Sequence, residues 1–443
     1  MERIFSNSDL KKLIIPLVAE QALALTVGMA DTLMVSSVGT AAISGVSLVD
    51  MINNVIFAVF SALATGGAVV TSQYIGARKE KEAIRSTNQL LYTVTIAGLL
   101  IMAFCIAFAR PMLGLFFGTI SDDVMYNCMV YLIISALSFP ALAIYNGCAA
   151  LFRAMGNSAV TFRVSIVMNL VNVVGNAICI YGFHMGAEGV AIPSLIGRLL
   201  AAVLLYRLLW NPDLQIHFCK EPIRFDGPMI RRILYIGIPS SAENGIFQLG
   251  RVVVVSIISL FGTEQIAANG VANSWDGMGC IVGCAMNLAM ITVIGQCVGA
   301  GDQDQIRYYL KKLLVITYIP GIIINVLILL FLNPILGFYH LDPVTFSLSH
   351  LLITIHASTC MFLWPLSFTF PNMLRACNDV SYTMFISIFS MLVFRIAVSA
   401  VLGIYMGMGA VGVWIAMICD WIFRITMFVL RYLHGDWKRL MYR

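Results

Sequence analysis

The sequence predicts an all-α polytopic membrane protein of twelve transmembrane helices, arranged as two six-helix bundles related by a pseudo-twofold axis. Three observations predict it. Of 443 residues, 60% are hydrophobic and 11% charged, and mean hydropathy is +0.90. A soluble globular chain carries roughly 25% charged residues, so lipid must be the solvent for most of this surface. The apolar residues fall into runs near the roughly 20 residues that a spanning helix needs. The chain also aligns with itself at one nearly constant offset.

The apolar runs lie near 13–36, 45–74, 89–109, 127–150, 160–183, 187–210, 231–261, 270–298, 310–332, 348–373, 380–404 and 408–433. They are continuous rather than alternating, which argues against β-barrel strands. The eleven cysteines are scattered through these runs, as at Cys105, Cys179, Cys360 and Cys419, with no CxxC. They read as small buried hydrophobes rather than a disulfide frame or a zinc site. The first apolar run is followed by no small-residue cleavage site, so no leader is expected to be removed.

Lysine and arginine set the orientation of the short loops. One set of loops carries Arg3, Lys11 and Lys12, then Arg78, Lys79, Lys81 and Arg85, then Arg153 and Arg163. It continues with Lys220, Arg224, Arg231 and Arg232, then Arg307, Lys311 and Lys312, then Arg375, then Lys438, Arg439 and Arg443. The opposite loops contain almost none, with Arg110 the clear exception. Both termini are therefore expected on the cytoplasmic side. The net charge of +5 is dispersed among loops and gives no nucleic-acid face.

Slid by 223 residues, Pro16 falls on Pro239, Glu20 on Glu243, Gly39-Thr40 on Gly262-Thr263, Gln73 on Gln296 and Gly76-Ala77 on Gly299-Ala300. Met185-Gly186-Ala187 falls on Met408-Gly409-Ala410, and Arg153-Ala154 meets Arg375-Ala376 at a shift of 222. An even number of spans per copy makes this a parallel repeat, which places a binding site at the interface of the halves near the midplane. The expected organisation is an N-lobe over 1–210, a cytoplasmic linker over 211–228 containing three prolines, and a C-lobe over 229–443.

An ionised side chain in hydrocarbon is costly, so it faces the bundle interior or water and marks a transport path. Asp31 on helix 1 is the leading candidate. It stands about 28 Å from Lys12 along the helix at roughly 1.5 Å per residue. Glu20 lies about three turns below on the same face, so the two acids are placed to line one water-filled cavity. Glu243 is the counterpart of Glu20, followed by Asn244, Gln248 and Arg251 on helix 7; Arg251, about two turns on, is expected to be its counter-charge. Asn169, Asn172 and Asn176 form a polar stripe on helix 5 that serves ion binding or interhelical hydrogen bonding equally well. Asp276, His356, Arg395 and Asp420 are further polar groups of the C-lobe. His356 is a proton-carrier candidate, and Asp420 is expected to pair with Arg424 at i, i+4. Arg198 is available to neutralise an N-lobe acid.

Several segments together resemble the multidrug and toxic compound extrusion (MATE) family. Helix 1 reads Pro16-Leu-Val-Ala-Glu20-Gln21 and then Met29-Ala30-Asp31-Thr32-Leu33-Met34-Val35. Gln73-Tyr74-Ile75-Gly76-Ala77-Arg78 and Gln296-Cys297-Val298-Gly299-Ala300-Gly301 are similar to the family's exits from helices 2 and 8. Leu151-Phe152-Arg153-Ala154-Met155-Gly156-Asn157 and Leu374-Arg375-Ala376-Cys377-Asn378-Asp379 are similar to its loops after helices 4 and 10. The resemblance implies a V-shaped two-lobed fold. It also implies efflux of organic, often cationic compounds driven by Na⁺ or H⁺ entry, with the ion at Asp31 or in the C-lobe at Glu243. Asn172 matches a family Asn, Asn176 stands where many members carry Asp, and helix 10 carries His356 in place of a carboxylate.

The expected partners are drugs, dyes or toxic metabolites and the lipid bilayer of a bacterial inner membrane, with the chain acting as a monomer. No cofactor, nucleic acid or catalytic activity is expected: there is no HExxH, GxSxG or Walker phosphate loop. Gly407-Met-Gly409-Ala-Val-Gly412 satisfies GxGxxG but lies in an outer loop with no strand before it. The alternative function is a flippase for a lipid-linked or polysaccharide precursor. That function would favour cations in the cavity to hold pyrophosphate, whereas the helix-1 charges are acidic.

Overall fold

The computed structural model describes residues 3–35, 37–118, 120–219 and 224–442; the loop cations Lys220 and Arg443, and Pro222 of the linker, lie outside them. The described chain is helical and contains no strand. We number the long helices α1 Asn7–Val35, α2 Thr40–Gly76, α3 Glu80–Ala107, α4 the bent pair Asp122–Leu137 and Phe139–Ala154, α5 Ser158–Gly182 and α6 Glu188–Leu208. They continue as α7 Gly227–Ser259, α8 Thr263–Gly299, α9 Gln303–Leu330, α10 Pro343–Ala376, α11 Val380–Tyr405 and α12 Gly409–His434.

Among the described residues ten of these helices are long and apolar enough to cross a membrane, or eleven with the bent α4 pair as one span. The remaining helix, α7, was expected to span over 231–261. It forms as one helix of 33 residues, but Ser240, Ser241, Glu243, Asn244, Gln248 and Arg251 dilute its apolar surface. The 45° bend in α4 falls at Ser138, just before Pro140. Proline has no N–H to give the preceding turn, and its ring crowds the carbonyl four residues back. In α10 the same chemistry at Pro365 coincides with a π-helical stretch over Pro365–Thr369.

By internal contacts the chain divides into an N-unit, Ser6–Ser241, and a C-unit, Ala242–Arg443 with Met1–Phe5. The division falls inside α7, beyond the polar segment 211–228. In the N-unit the first half of α7 lies against α2 so closely that a Cβ on Gly66 would stand 2.6 Å from the Ile233 carbonyl, and one on Gly237 2.9 Å from Leu63. Ser241 also donates to the Val59 carbonyl at 3.0 Å. The described part of 211–228 is tied to α3: Gln89 donates to the Arg224 carbonyl at 2.8 Å, and Arg85 pairs with Asp226 at 2.7 Å. In the C-unit, Phe5 is held at both its N–H and its carbonyl by the Tyr309 hydroxyl, at 2.9 and 2.7 Å. The C-unit core gathers α8, α10 and α12 around Trp364, Trp414 and Trp421.

The backbone repeats at the offset seen in the sequence. Left-handed residues occur at Gly39 and Gly262, Arg78 and Gly301, Gly118 and His340, Gly156 and Asn378, and His184 and Gly407. Each pair is 222 or 223 positions apart. Glycine adopts this conformation freely and Asn with little penalty, whereas Arg78 and the two histidines take it at a steric cost. The two copies therefore share turn geometry even where they do not share the residue.

Candidate functional site

In the N-unit, α1 packs along α5, and each half of that contact carries one acid of helix 1. Near the far end of α1, Asn176 Nδ2 donates to Asp31 Oδ1 at 2.9 Å. One turn earlier on α5, the Asn172 amide satisfies both of its neighbours in one orientation. Its nitrogen donates to Asp31 Oδ1 at 2.9 Å, and its oxygen accepts from Ser194 Oγ at 2.7 Å. The i, i+4 spacing of the two asparagines stacks them on one face, so both amides converge on one carboxylate. Asn169 donates instead to the Ser165 carbonyl of its own helix, at 2.8 Å.

A second acid belongs to this site and was passed over in the sequence. Asp50 on α2 accepts from the Tyr131 hydroxyl at 2.9 Å. Asp50 and Arg198 are the charges acting on Asp31. Arg198 donates to Ser138 Oγ at 2.8 Å and lies over the Phe57 ring at 4.6 Å. The signal for Asp50 was present, because it is an acid inside the apolar run 45–74. The rule that selected Asp31 applies to it equally. Among the described residues no ion pair within 4.0 Å closes on Asp31 or Asp50, so two half-buried carboxylates face one guanidinium and several neutral donors.

Glu20 does not join that group. It sits lower on α1, accepting from Thr161 Oγ1 at 3.3 Å and from the Tyr145 hydroxyl at 3.5 Å, with the Arg153 charge acting on it. Asp31 and Glu20 do share the α5-facing side of α1, as their spacing predicts.

The C-unit corrects two expectations. The counter-charge of Glu243 is Arg375 at 2.6 Å, with Arg424 at 3.9 Å, and not Arg251. The Glu243–Arg375 contact runs between helices distant in sequence, which spacing along one helix could not reveal. Two guanidiniums are thus set against the one carboxylate of Glu243. Asp420 pairs with Arg395 at 3.9 Å and is bonded to the Ser390 hydroxyl, whereas Arg424 turns to the Ser367 carbonyl and to Glu243. His356, the proton-carrier candidate, faces a carboxylate from another helix: Asp276 of α8 stands 2.6 Å from its Nε2, and the ring lies edge-on to Trp414 and Trp421. Gln248 is half-buried on α7. Arg251 lines a small cavity of about 40 Å³ with Asn269, Asn273, Arg395 and Trp414.

The two units therefore differ in charge. At the 223-residue offset Asp31 becomes Val254, Asn172 becomes Arg395 and Asp50 becomes Asn273. The N-unit keeps acids beside amides, and the C-unit sets every buried acid against a cation.

The family model MatE matches residues 16–178 and again 239–401, the second match beginning 223 positions after the first. An uncharacterized transporter, YisQ, of Bacillus subtilis (strain 168) is 27% identical over 446 residues, covering 96% of each chain. A probable multidrug resistance protein NorM of Thermotoga maritima is 24% identical, covering 98% of this chain and 93% of its own. A solved structure described as the outward-facing conformation of a multidrug resistance MATE family transporter of the MOP superfamily superposes with a TM-score of 0.89 at 18% identity. It covers 98% of this chain and 96% of that one. A MATE crystal structure in the bent conformation gives 0.87, also at 18% identity, over 98% and 97%. With both halves matched by the family model and the fold shared along nearly its whole length, the chain belongs to the MatE family of multidrug and toxic compound extrusion transporters.

Proposed function

We propose that this chain is a multidrug efflux transporter that exports organic, largely cationic compounds in exchange for H⁺ or Na⁺ by alternating access. The coupling site is Asp31, framed by Asn172 and Asn176, with Asp50 as second acid. One observation carries the reading: a half-buried carboxylate that receives neutral amide donors and no direct cation. Such a group keeps its charge available to a proton, Na⁺ or a cationic substrate. When the coupling ion and the cargo compete for one negative site, each favours the conformation in which it binds better, and exchange follows from that differential affinity.

Glu243 is structural in this reading, and Glu20 steadies α1 against α4 and α5. The lobes are taken as 1–210 and 229–443 with the segment 211–228 between them, both termini on the cytoplasmic side of a bacterial inner membrane, and the chain acting as a monomer. The multidrug resistance names of several relatives support efflux. They do not favour the flippase, and neither do the acids of the N-unit.

The test is reconstitution into liposomes with separate Na⁺ and pH gradients and a cationic dye. Dye movement driven by one gradient, and lost in Asp31→Asn, is the expected result. Transport that ignores both gradients, or persists unchanged in the variant, would overturn it.

A further inference from the structure

The C-unit holds a group of donors that the transport reading does not use. Asp276 and Cys280 are i, i+4 on α8, and His356 and Cys360 are i, i+4 on α10. These two helices pack together, so the two pairs face each other. Cys280 Sγ stands 3.6 Å from Cys360 Sγ, and the Cys280, His356 and Cys360 donor atoms all lie within 4.8 Å of one another. Two sulfurs bound at about 2.3 Å to a tetrahedral zinc ion stand about 3.8 Å apart, so the thiols are already near their bound separation. Such proximity also suits a disulfide, which makes oxidation the rival reading of the pair.

His356 separates the two readings. Its ring is 3% exposed, and its Nε2 makes no well-directed hydrogen bond despite the 2.6 Å approach of Asp276 Oδ1. A histidine beside a disulfide has no use for that carboxylate. A histidine that ligates a metal is ordinarily oriented by one, the carboxylate either gripping the other ring nitrogen or joining as a further ligand. Charge balance points the same way. Two thiolates cancel a divalent ion, which leaves the Asp276 carboxylate as the charge that Arg251 offsets. Arg251 acts on Asp276, and Arg395 on His356. Asp276 remains 23% exposed and offers the way in.

We propose that Cys280, His356 and Cys360, oriented by Asp276, form a binding site for a thiophilic divalent cation, Zn²⁺ being the ion that the donor set fits. The site lies wholly within the C-unit and is independent of where the coupling ion binds. Binding pins α8 to α10 and displaces the thiol protons to solvent.

The experiment uses the full-length reduced protein in detergent with Co²⁺ as probe and Zn²⁺ as competitor. The expected result is one Co²⁺ per chain, with thiolate-to-metal charge transfer and tetrahedral visible bands, both removed by Zn²⁺. The C280S/C360S double variant should lose the charge-transfer band. A spectrum without thiolate bands overturns the site, and so does equal binding by the double variant. If that variant does not fold, alkylation of the native chain decides. Zn²⁺ should protect Cys280 and Cys360 and leave the other nine of the eleven cysteines unchanged, and labelling indifferent to Zn²⁺ overturns the proposal.

Discussion

Asn176 of α5 donates to Asp31 of α1 across 2.9 Å, and the residue one turn before it, Asn172, reaches the same carboxylate oxygen. Neither bond brings a cation. The carboxylate is oriented without being neutralised, the condition that the proposed exchange of one cation for another at this site needs. In the other half Val254 stands at the position equivalent to Asp31, and the buried acid there, Glu243, the counterpart of Glu20, is paired with Arg375 instead.

Asp31→Asn keeps the shape of the side chain and removes its charge. A hydrogen bond to a charged group is worth about 1.5–3 kcal/mol, so export of a cationic dye should fall about ten- to hundredfold. Insertion and monodispersity in detergent should be unchanged. Export at the native rate in reconstituted liposomes would remove Asp31 from the mechanism.

Asn176→Leu removes one donor and leaves the acid. The loss is a single hydrogen bond of about 1 kcal/mol net, so the concentration of coupling ion needed for half-maximal transport should rise about fivefold. The maximal rate should stay close to native. An unchanged ion dependence would show that the amide does not frame the bound cation.

Glu243→Gln leaves Arg375 and Arg424 buried without their counter-charge. Breaking a buried pair from one side costs about 3–5 kcal/mol. The lower end is expected here, because Arg375 keeps a bond to Asn372 at 2.5 Å. The midpoint of thermal unfolding in detergent should drop clearly, the double variant Glu243→Gln/Arg375→Met should recover most of the loss, and Na⁺ dependence should not change. A variant of native stability with altered Na⁺ dependence would reverse this assignment.

Asp342 caps the start of α10, accepting from the Thr345 N–H at 3.0 Å. The bonds from Thr345 hold its carboxyl below the ordinary value of 3.8. A depressed folded-state value means that the contribution is present above the unfolded value and fades as pH falls through the folded one. Asp342→Ala should therefore unfold at a lower temperature than the native chain near neutral pH, and the gap should close in acid. A gap that persists undiminished after acidification would separate the cap from its charge.

The sequence by itself determined the membrane class, the duplication and the acid of helix 1, because these depend on composition and on order along the chain. Hydrocarbon admits few charges, so an Asp inside an apolar run is conspicuous without a fold. The 223-residue offset was legible as matched residues and returns as matched left-handed turns. Partners across helices were not legible. Spacing along one helix suggested Arg251 for Glu243 and Arg424 for Asp420, but buried ions take whichever counter-charge the packed neighbour brings within reach. Here the neighbours brought Arg375 and Arg395. Cys280 and Cys360 are 80 positions apart and read as ordinary packing residues until α8 and α10 set them side by side. Tertiary structure alone decided which charges cancel, which stay open and which donors meet, because those outcomes depend on distances of a few ångströms between helices and not on the order of residues within them.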